Sequence, residues 1–200
     1  MRRTSLPWRV AARAAPAAAL ILALGGAAFA APTRQPTWRS LHRPLHIRHI
    51  APGTPCPTSQ PDPRGDLSRF PGLVGTAWGR GPAYPGGLGN DKPVLIYVYP
   101  PLPTSEWAGS EWSGQKVNWI TNPSFRGRIL IRGRQLDGPN ELRFNNGRVP
   151  PREMRVIGRG PGYSTPSYTR VRADGCYGYQ IDGKSFSRVI VFEARAVTSG

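Results

Sequence analysis

Short runs of β-branched and aromatic residues recur from residue 45 onward, and breaks rich in Gly, Pro, Asn and Asp separate them. Several runs alternate apolar and polar positions with a period of two, whereas none has the 3.6-residue period of an amphipathic helix. Many short strands without intervening helices predict an all-β fold, an immunoglobulin-like antiparallel β-sandwich of about 8–9 strands. The predicted strands are residues 45–50, 93–99, 116–121, 127–134, 141–145, 152–158, 167–173, 176–182 and 185–194.

Three parts of this pattern carry more specific predictions. Asp182-Gly183 lies between two strong runs and predicts a hairpin. Within residues 127–134, Ile129 and Ile131 share one face of the strand. The other face holds Arg128, Arg132 and Arg134, a basic stripe that either is solvated or meets an anionic polymer. Residues 57–92 are rich in Pro and Gly with little periodicity, and they are predicted to form a long surface excursion.

The N-terminal residues 1–30 have the organisation of a signal peptide. Arginines without acidic residues precede an apolar core, and Ala28-Phe29-Ala30 predicts cleavage between Ala30 and Ala31. No later segment reaches the roughly 18 apolar residues of a spanning helix, so we expect no transmembrane segment in the mature chain. The expected organisation is a Pro- and Arg-rich linker at 31–44 and one β-sandwich domain at 45–196. The protein is then secreted, or associated with the cell envelope.

The charge of the chain is strongly positive, with 27 basic and 11 acidic residues and a formal net charge of +16. Four arginines lie in residues 1–30, which leaves +12 for the mature chain. A cationic protein outside a bacterium adheres to anionic envelope polymers in a salt-dependent way. The arginines are scattered and no nucleic-acid-binding motif is present, so no nucleic acid partner is expected.

A near-duplication, SEWAGSEWSG at residues 105–114, places Glu106 beside Trp107 and Glu111 beside Trp112. Two carboxylates suit glycoside hydrolysis, but residues five apart on an extended strand point to opposite faces, so we interpret these acids as bystanders. Exposed indoles stack on sugars, which makes Trp107 and Trp112 candidate ligand-binding residues. The alternative is that Trp112, like Trp119, packs into the edge of the sandwich.

Catalytic and metal-binding signatures are weak. All three histidines lie at residues 42–49, where Pro44 prevents a helix and no acid or thiol is near in sequence. No serine lies in a Gly-x-Ser-x-Gly motif. We therefore predict no catalytic residue, no metal site and no cofactor.

Four motifs carry a resemblance to other proteins: Cys56-Pro57, Trp112 with Lys116, the run at residues 132–138, and Gly175-Cys176-Tyr177 leading to residues 180–183. On these motifs, residues 44–194 resemble a group of secreted proteins of GC-rich bacteria that have no known activity. The resemblance implies export and a β-sandwich, and it implies no catalytic residue.

The two cysteines, Cys56 and Cys176, are predicted to form a disulfide, because an oxidising exterior favours their pairing. Cys56 lies between Pro55 and Pro57 in an irregular segment, whereas Cys176 opens the penultimate predicted strand. The bond would fasten the N-terminal arm and first strand to the end of the sandwich. The alternative is two buried free thiols or a reactive cysteine.

Three functional hypotheses follow. The first is a secreted, non-catalytic β-sandwich that associates with the cell envelope or extracellular matrix. The second is a carbohydrate-binding module that uses Trp107 with support from Trp112. The third is an enzyme of unknown type.

Overall fold

The computed structural model describes residues 35–65, 67, 75–161 and 163–198. The predicted signal peptide and its cleavage site at Ala30 and Ala31 lie outside these residues. The described part of the chain is all-β, as predicted, with a single 3-10 turn at Arg39–Leu41. It contains no helix long and apolar enough to cross a membrane. The strands are β1 (Ala83–Gly86), β2 (Val94–Val98), β3 (Ser113–Thr121), β4 (Arg126–Gln135), β5 (Arg143–Phe144), β6 (Met154–Arg159), β7 (Ser164–Val171), β8 (Gly175–Gly183) and β9 (Phe186–Val197).

These strands form two sheets, ordered β1-β3-β7-β5 and β2-β9-β8-β4-β6. Neighbouring strands are antiparallel except for β2 and β9, which run parallel, so the second sheet is mixed. The two-sheet architecture agrees with the expected β-sandwich. The hairpin predicted at Asp182-Gly183 connects β8 and β9, with Gly183 opposite Phe186.

The main core is built from aromatic and β-branched side chains that alternate along the strands. Trp119 of β3 meets Tyr179 of β8 edge to face at 5.0 Å, and Tyr179 stacks on Phe192 at 4.5 Å. The Tyr179 hydroxyl lies 2.7 Å from the hydroxyl of Thr169 in the first sheet, so this buried polar group is satisfied across the core. Ile129 is fully buried, as predicted from its position on β4.

Part of the segment 57–92 is buried in the sandwich, which corrects the prediction that the segment is a surface excursion. Trp78, Tyr84 and Leu88 are buried, and all four residues of β1 are buried as well. β1 lies at the edge of the first sheet, where Pro85 is tolerated because an edge strand has one unpaired side. A four-residue strand that contains Pro and Gly is too short and too atypical to produce a periodic signal.

The N-terminal segment 36–50 is an irregular arm that packs on the second sheet, so the strand predicted at 45–50 is wrong. Leu41 and Ile47 are each 1% exposed, although the surrounding arm residues are largely exposed. Ile47 packs with Leu136 and Cys176 in a small cluster separate from the main core. Part of the sequence assigned to a linker at 31–44 is therefore in contact with the sheet.

Arginines of β4 hold this arm, which corrects the prediction that they form a solvent-facing stripe. Arg128 donates to the carbonyl of Pro36 at 2.9 Å. Arg132 and Arg134 donate to the carbonyls of Arg43 and Ile47. The three side chains do share the face opposite Ile129, as expected, but the arm covers that face.

A buried ion pair lies beneath the arm. Asp182 is fully buried and lies 2.9 Å from Arg132, and it also accepts a hydrogen bond of 2.7 Å from Ser187. The neighbouring Gln180 donates to the carbonyl of Pro44 at 2.9 Å and accepts from the backbone N–H of His46. A buried charge is stable only when it is paired and hydrogen-bonded, and these contacts meet that requirement.

Cys56 and Cys176 form the predicted disulfide, with a Cα–Cα distance of 5.3 Å. Cys56 lies in an irregular segment and Cys176 at the start of β8. The bond fastens the end of the arm to the second sheet and does not connect the two sheets through the core. Next to it, Ser59 donates its backbone N–H to the carbonyl of Val191 at 3.0 Å and so continues the attachment.

Removing this disulfide by the double substitution Cys56→Ala/Cys176→Ala is expected to lower the free energy of unfolding by about 4–5 kcal/mol, an upper figure, because the bond closes a loop with a sequence separation of 120 residues. Urea unfolding of the variant and of the unreduced wild type measures the difference. In the denatured, unreduced wild type no thiol should react with a labelling reagent. Two reactive thiols per chain would contradict the assignment.

Candidate functional site

Trp112 is buried and unavailable as a stacking platform. Two guanidinium groups lie over its ring, Arg143 at 5.2 Å and Arg172 at 5.0 Å from the ring centroid. Such cation–π contacts stabilise the indole and cover part of the ring surface. Trp112 therefore packs into the edge of the sandwich and is not an exposed ligand-binding residue.

Trp107 is half-buried, and its surroundings fix the orientation of its ring. The guanidinium of Arg170 lies 4.1 Å from the ring centroid, and Tyr168 meets the ring edge to face at 5.0 Å. The indole N–H points to the side-chain oxygen of Asn146 at 3.5 Å. The remaining exposed part of the ring is a preorganised apolar surface.

Arg170 organises the loop that carries both tryptophans. It is fully buried on β7 and donates to the carbonyls of Asn145 and Trp112 and, at 3.4 Å, to the hydroxyl of Ser110. Burial lowers the pKa of its guanidinium to about 10, and the charge of Glu106 opposes that shift. Because this pKa stays well above neutrality, Arg170 is a buried cation at neutral pH.

The two carboxylates of the duplicated motif are exposed and have different neighbours. The charge of Glu106 raises the pKa of the Tyr168 hydroxyl, and burial adds to this effect. The carboxylate of Glu111 lies 3.5 Å from Arg172, and its side chain is 80% exposed. Neither carboxylate therefore has the desolvated environment that raises the pKa of a catalytic acid.

A concavity of about 390 Å³ lies on the other side of two neighbours of Trp107, since Tyr168 and Asn146 line it and also contact the indole. Trp107 itself is not among its described lining residues. The amides, hydroxyls and ammonium group of the lining are groups that hydrogen-bond sugar hydroxyls. The lining residues are Lys116, Asn145, Asn146, Pro166, Ser167 and Tyr168.

A larger concavity, about 850 Å³, has three arginines among its lining residues: Arg64, Arg80 and Arg188. It has no signature in the sequence, because these arginines lie on three separate segments and no local motif connects them. Only the pairing of residues 59–62 with residues 77–79 and with β9 brings them together.

Asp62 is the acidic group of this second concavity, and its side chain is only 4% exposed. It accepts hydrogen bonds from the backbone N–H groups of Arg64 and Gly81 and from the Tyr84 hydroxyl at 2.9 Å. Burial alone would raise the pKa of Asp62, but these hydrogen bonds lower it to about 2. Asp62 is therefore an ionised structural acid at neutral pH.

The three histidines do not converge. His42 lies 2.7 Å from Glu153, His46 is exposed, and the ring of His49 is 3.2 Å from the carbonyl of Leu136. His42 and His49 line a cavity of about 560 Å³ between the arm and β4. Within the described ranges there is no group of three or more His, Cys, Asp or Glu side chains that could hold a metal ion.

No protein-family model, curated protein or solved structure matches this chain. Function is therefore inferred from charge and side-chain geometry.

Proposed function

We propose that this protein is an exported, non-catalytic β-sandwich that adheres to anionic polymers of the cell envelope or extracellular matrix. The distribution of its charges carries the proposal. Many acidic side chains of the described residues are paired with a neighbouring cation, whereas many arginines are exposed. The paired acids are Asp62, Glu111, Glu141, Glu153, Asp182 and Glu193.

Several arginines that are used structurally also keep their charge. Arg126 and Arg128 donate to the carbonyls of Pro123 and Pro36, and a carbonyl acceptor satisfies a donor without neutralising it. Such side chains add to the positive field around the molecule. A field of one sign attracts anionic polymers without requiring a specific pocket.

Export is supported by the apolar N-terminal sequence and by the disulfide. Disulfides persist mainly in oxidising compartments, so the bond between Cys56 and Cys176 fits a protein that acts outside the cytoplasm. The resemblance of residues 44–194 to secreted proteins of GC-rich bacteria is consistent with the same location.

We also infer that the sandwich is of immunoglobulin-like type. The first sheet, β1-β3-β7-β5, and four neighbouring strands of the second sheet, β9-β8-β4-β6, have the strand orders of immunoglobulin sheets. One difference is that β5 precedes β6 along the chain. The hydroxyl of Tyr177, near the start of β8, donates to the carbonyl of Ala173 at 2.9 Å, as in the tyrosine corner of such folds. The disulfide differs from the immunoglobulin bridge because Cys56 lies outside the strands.

A second candidate function, carbohydrate binding, is favoured by the exposed part of Trp107 and the nearby concavity. Arg170 and Tyr168 hold the ring in place, so a sugar would not have to immobilise it on binding. Trp112 contributes indirectly, since the carbonyl of Trp112 is an acceptor for Arg170. No specific cluster in the described residues favours the third candidate, an enzyme of unknown type.

Adhesion through the overall positive field should depend steeply on salt. The fraction of protein bound to isolated bacterial cell walls is expected to fall sharply above about 0.2 M salt, where the Debye length is under 10 Å. A co-sedimentation titration with sodium chloride measures it, and an equal osmolality of sucrose is the control. Binding that is indifferent to salt would refute electrostatic adhesion.

Carbohydrate binding would depend on Trp107. If the second candidate is correct, Trp107→Ala should lower affinity on a glycan array by about tenfold or more, which corresponds to roughly 1.4 kcal/mol of lost stacking. Trp38→Ala is the matched control, because Trp38 is also half-buried and lies against Arg128 and Arg155. Equal binding by all three proteins, or no binding by the wild type, would rule out this site.

A further inference from the structure

We propose that the concavity lined by Arg64, Arg80 and Arg188, here called the arginine cleft, binds a phosphate-bearing polyanion. This inference rests on the proposed adhesion to anionic polymers and adds to it a defined surface and a ligand chemistry. The cleft has a volume of about 850 Å³, the size of a site that holds several chemical groups of one ligand.

The walls of the cleft are fixed to the sandwich by backbone hydrogen bonds. Val191 of β9 donates its N–H to the Ser59 hydroxyl at 2.9 Å and accepts from the N–H of Ser59 at 3.0 Å. Gly79 donates to the carbonyl of Gln60 at 2.9 Å, next to a β-bridge between Pro61 and Trp78. The site is therefore present before a ligand arrives, which lowers the entropic cost of binding.

Gly79 allows the wall that carries Arg80 to approach the sheet closely. Its φ angle is +85°, a conformation that glycine adopts readily. A Cβ atom at this position would lie 2.5 Å from a side-chain carbon of Ile190 in the core. The backbone is thus held against β9, and the side chain of the next residue, Arg80, is exposed at the cleft.

The charge of the cleft favours an anion. Its described lining residues include three arginines and one acid, Asp62. The Asp62 carboxylate is nearly inaccessible and already accepts hydrogen bonds from Arg64, Gly81 and Tyr84. By contrast, the Arg64 side chain is 82% exposed, and its Nε lies at a long 3.4 Å from Asp62. The guanidinium groups are therefore accessible, whereas the opposing charge is not.

The arrangement favours phosphate over carboxylate groups. A guanidinium offers two parallel N–H donors, and it binds phosphate and carboxylate oxygens in this bidentate way. A planar carboxylate presents its acceptors in one plane, whereas the tetrahedral oxygens of a phosphate accept from several directions. Because the three arginines come from three different segments, a chain of several phosphates can contact more of them than a single anionic group can.

The test compares two triple variants that lower the formal net charge equally. Arg64→Gln/Arg80→Gln/Arg188→Gln removes the cleft arginines, and Arg39→Gln/Arg48→Gln/Arg159→Gln removes three exposed arginines that do not line it. The probe is long-chain inorganic polyphosphate, with polygalacturonate as the carboxylate polymer and dextran as the neutral one. We expect the cleft variant to lose polyphosphate affinity about tenfold or more and the control variant less than about threefold.

The other possible outcomes each refute one part of the proposal. Equal losses in the two variants would leave electrostatic adhesion in place but refute the arginine cleft. Equal or tighter binding of polygalacturonate by the wild type would refute the phosphate preference. Failure of the wild type to bind either polyanion or cell walls would refute the proposed adhesion itself. The melting temperature of each variant verifies folding, and if the triple cleft variant is unstable, Arg188→Gln alone is expected to show a partial loss.

Discussion

The proline-rich segments of this protein depend on arginine side chains for hydrogen-bond donors. Proline has no backbone N–H, so a segment rich in proline cannot pair fully with a strand, yet its carbonyl groups still need donors where they are buried. Arg128, Arg143 and Arg126 donate to the carbonyls of Pro36, Pro150 and Pro123, respectively. Arg170 does the same for the loop of Trp107 and Trp112, through the carbonyl of Trp112. Together with the disulfide and with backbone hydrogen bonds such as that from Ser59 to Val191, these contacts attach irregular segments to the strands.

The same interaction connects the fold to the proposed function. An arginine that donates to a carbonyl remains charged, so a structural contact of this type adds a positive charge unless an acid also pairs with the side chain, as Glu141 does with Arg143. The formal net charge of +16 is then partly a consequence of how the chain folds. Adhesion to anionic polymers would make use of a charge that the structure already requires, and the arginine cleft would concentrate it at one place.

The all-β class, the core face of β4 and the disulfide were predictable from the sequence, because each leaves a local or countable signal. Alternation placed Ile129 inside, and two cysteines leave one possible pairing. β1 was missed because four residues that include Pro85 have no visible period. The sequence correctly placed Arg132 on the face of β4 opposite Ile129. It could not show the hydrogen-bond partner of Arg132, because the carbonyl of Arg43 is 89 residues away in the chain. The same limitation hid the arginine cleft and the guanidinium groups around Trp112, since contacts between distant segments appear only once the topology is known.

The most direct test is the triple variant Arg128→Lys/Arg132→Lys/Arg134→Lys, in which the three arginines that hold the arm are replaced. Lysine keeps the charge but has a single nitrogen in place of the planar fork, so the contacts to the arm carbonyls and to Asp182 are weakened while the formal net charge is unchanged. The measurement is amide hydrogen exchange of residues 36–50, with Arg148→Lys/Arg159→Lys/Arg195→Lys as the exposed control. Exchange in the arm should accelerate by at least about tenfold in the first variant only, since each lost hydrogen bond contributes about 1 kcal/mol. Unchanged protection of the arm in the first variant would contradict the dependence of the irregular segments on arginine donors.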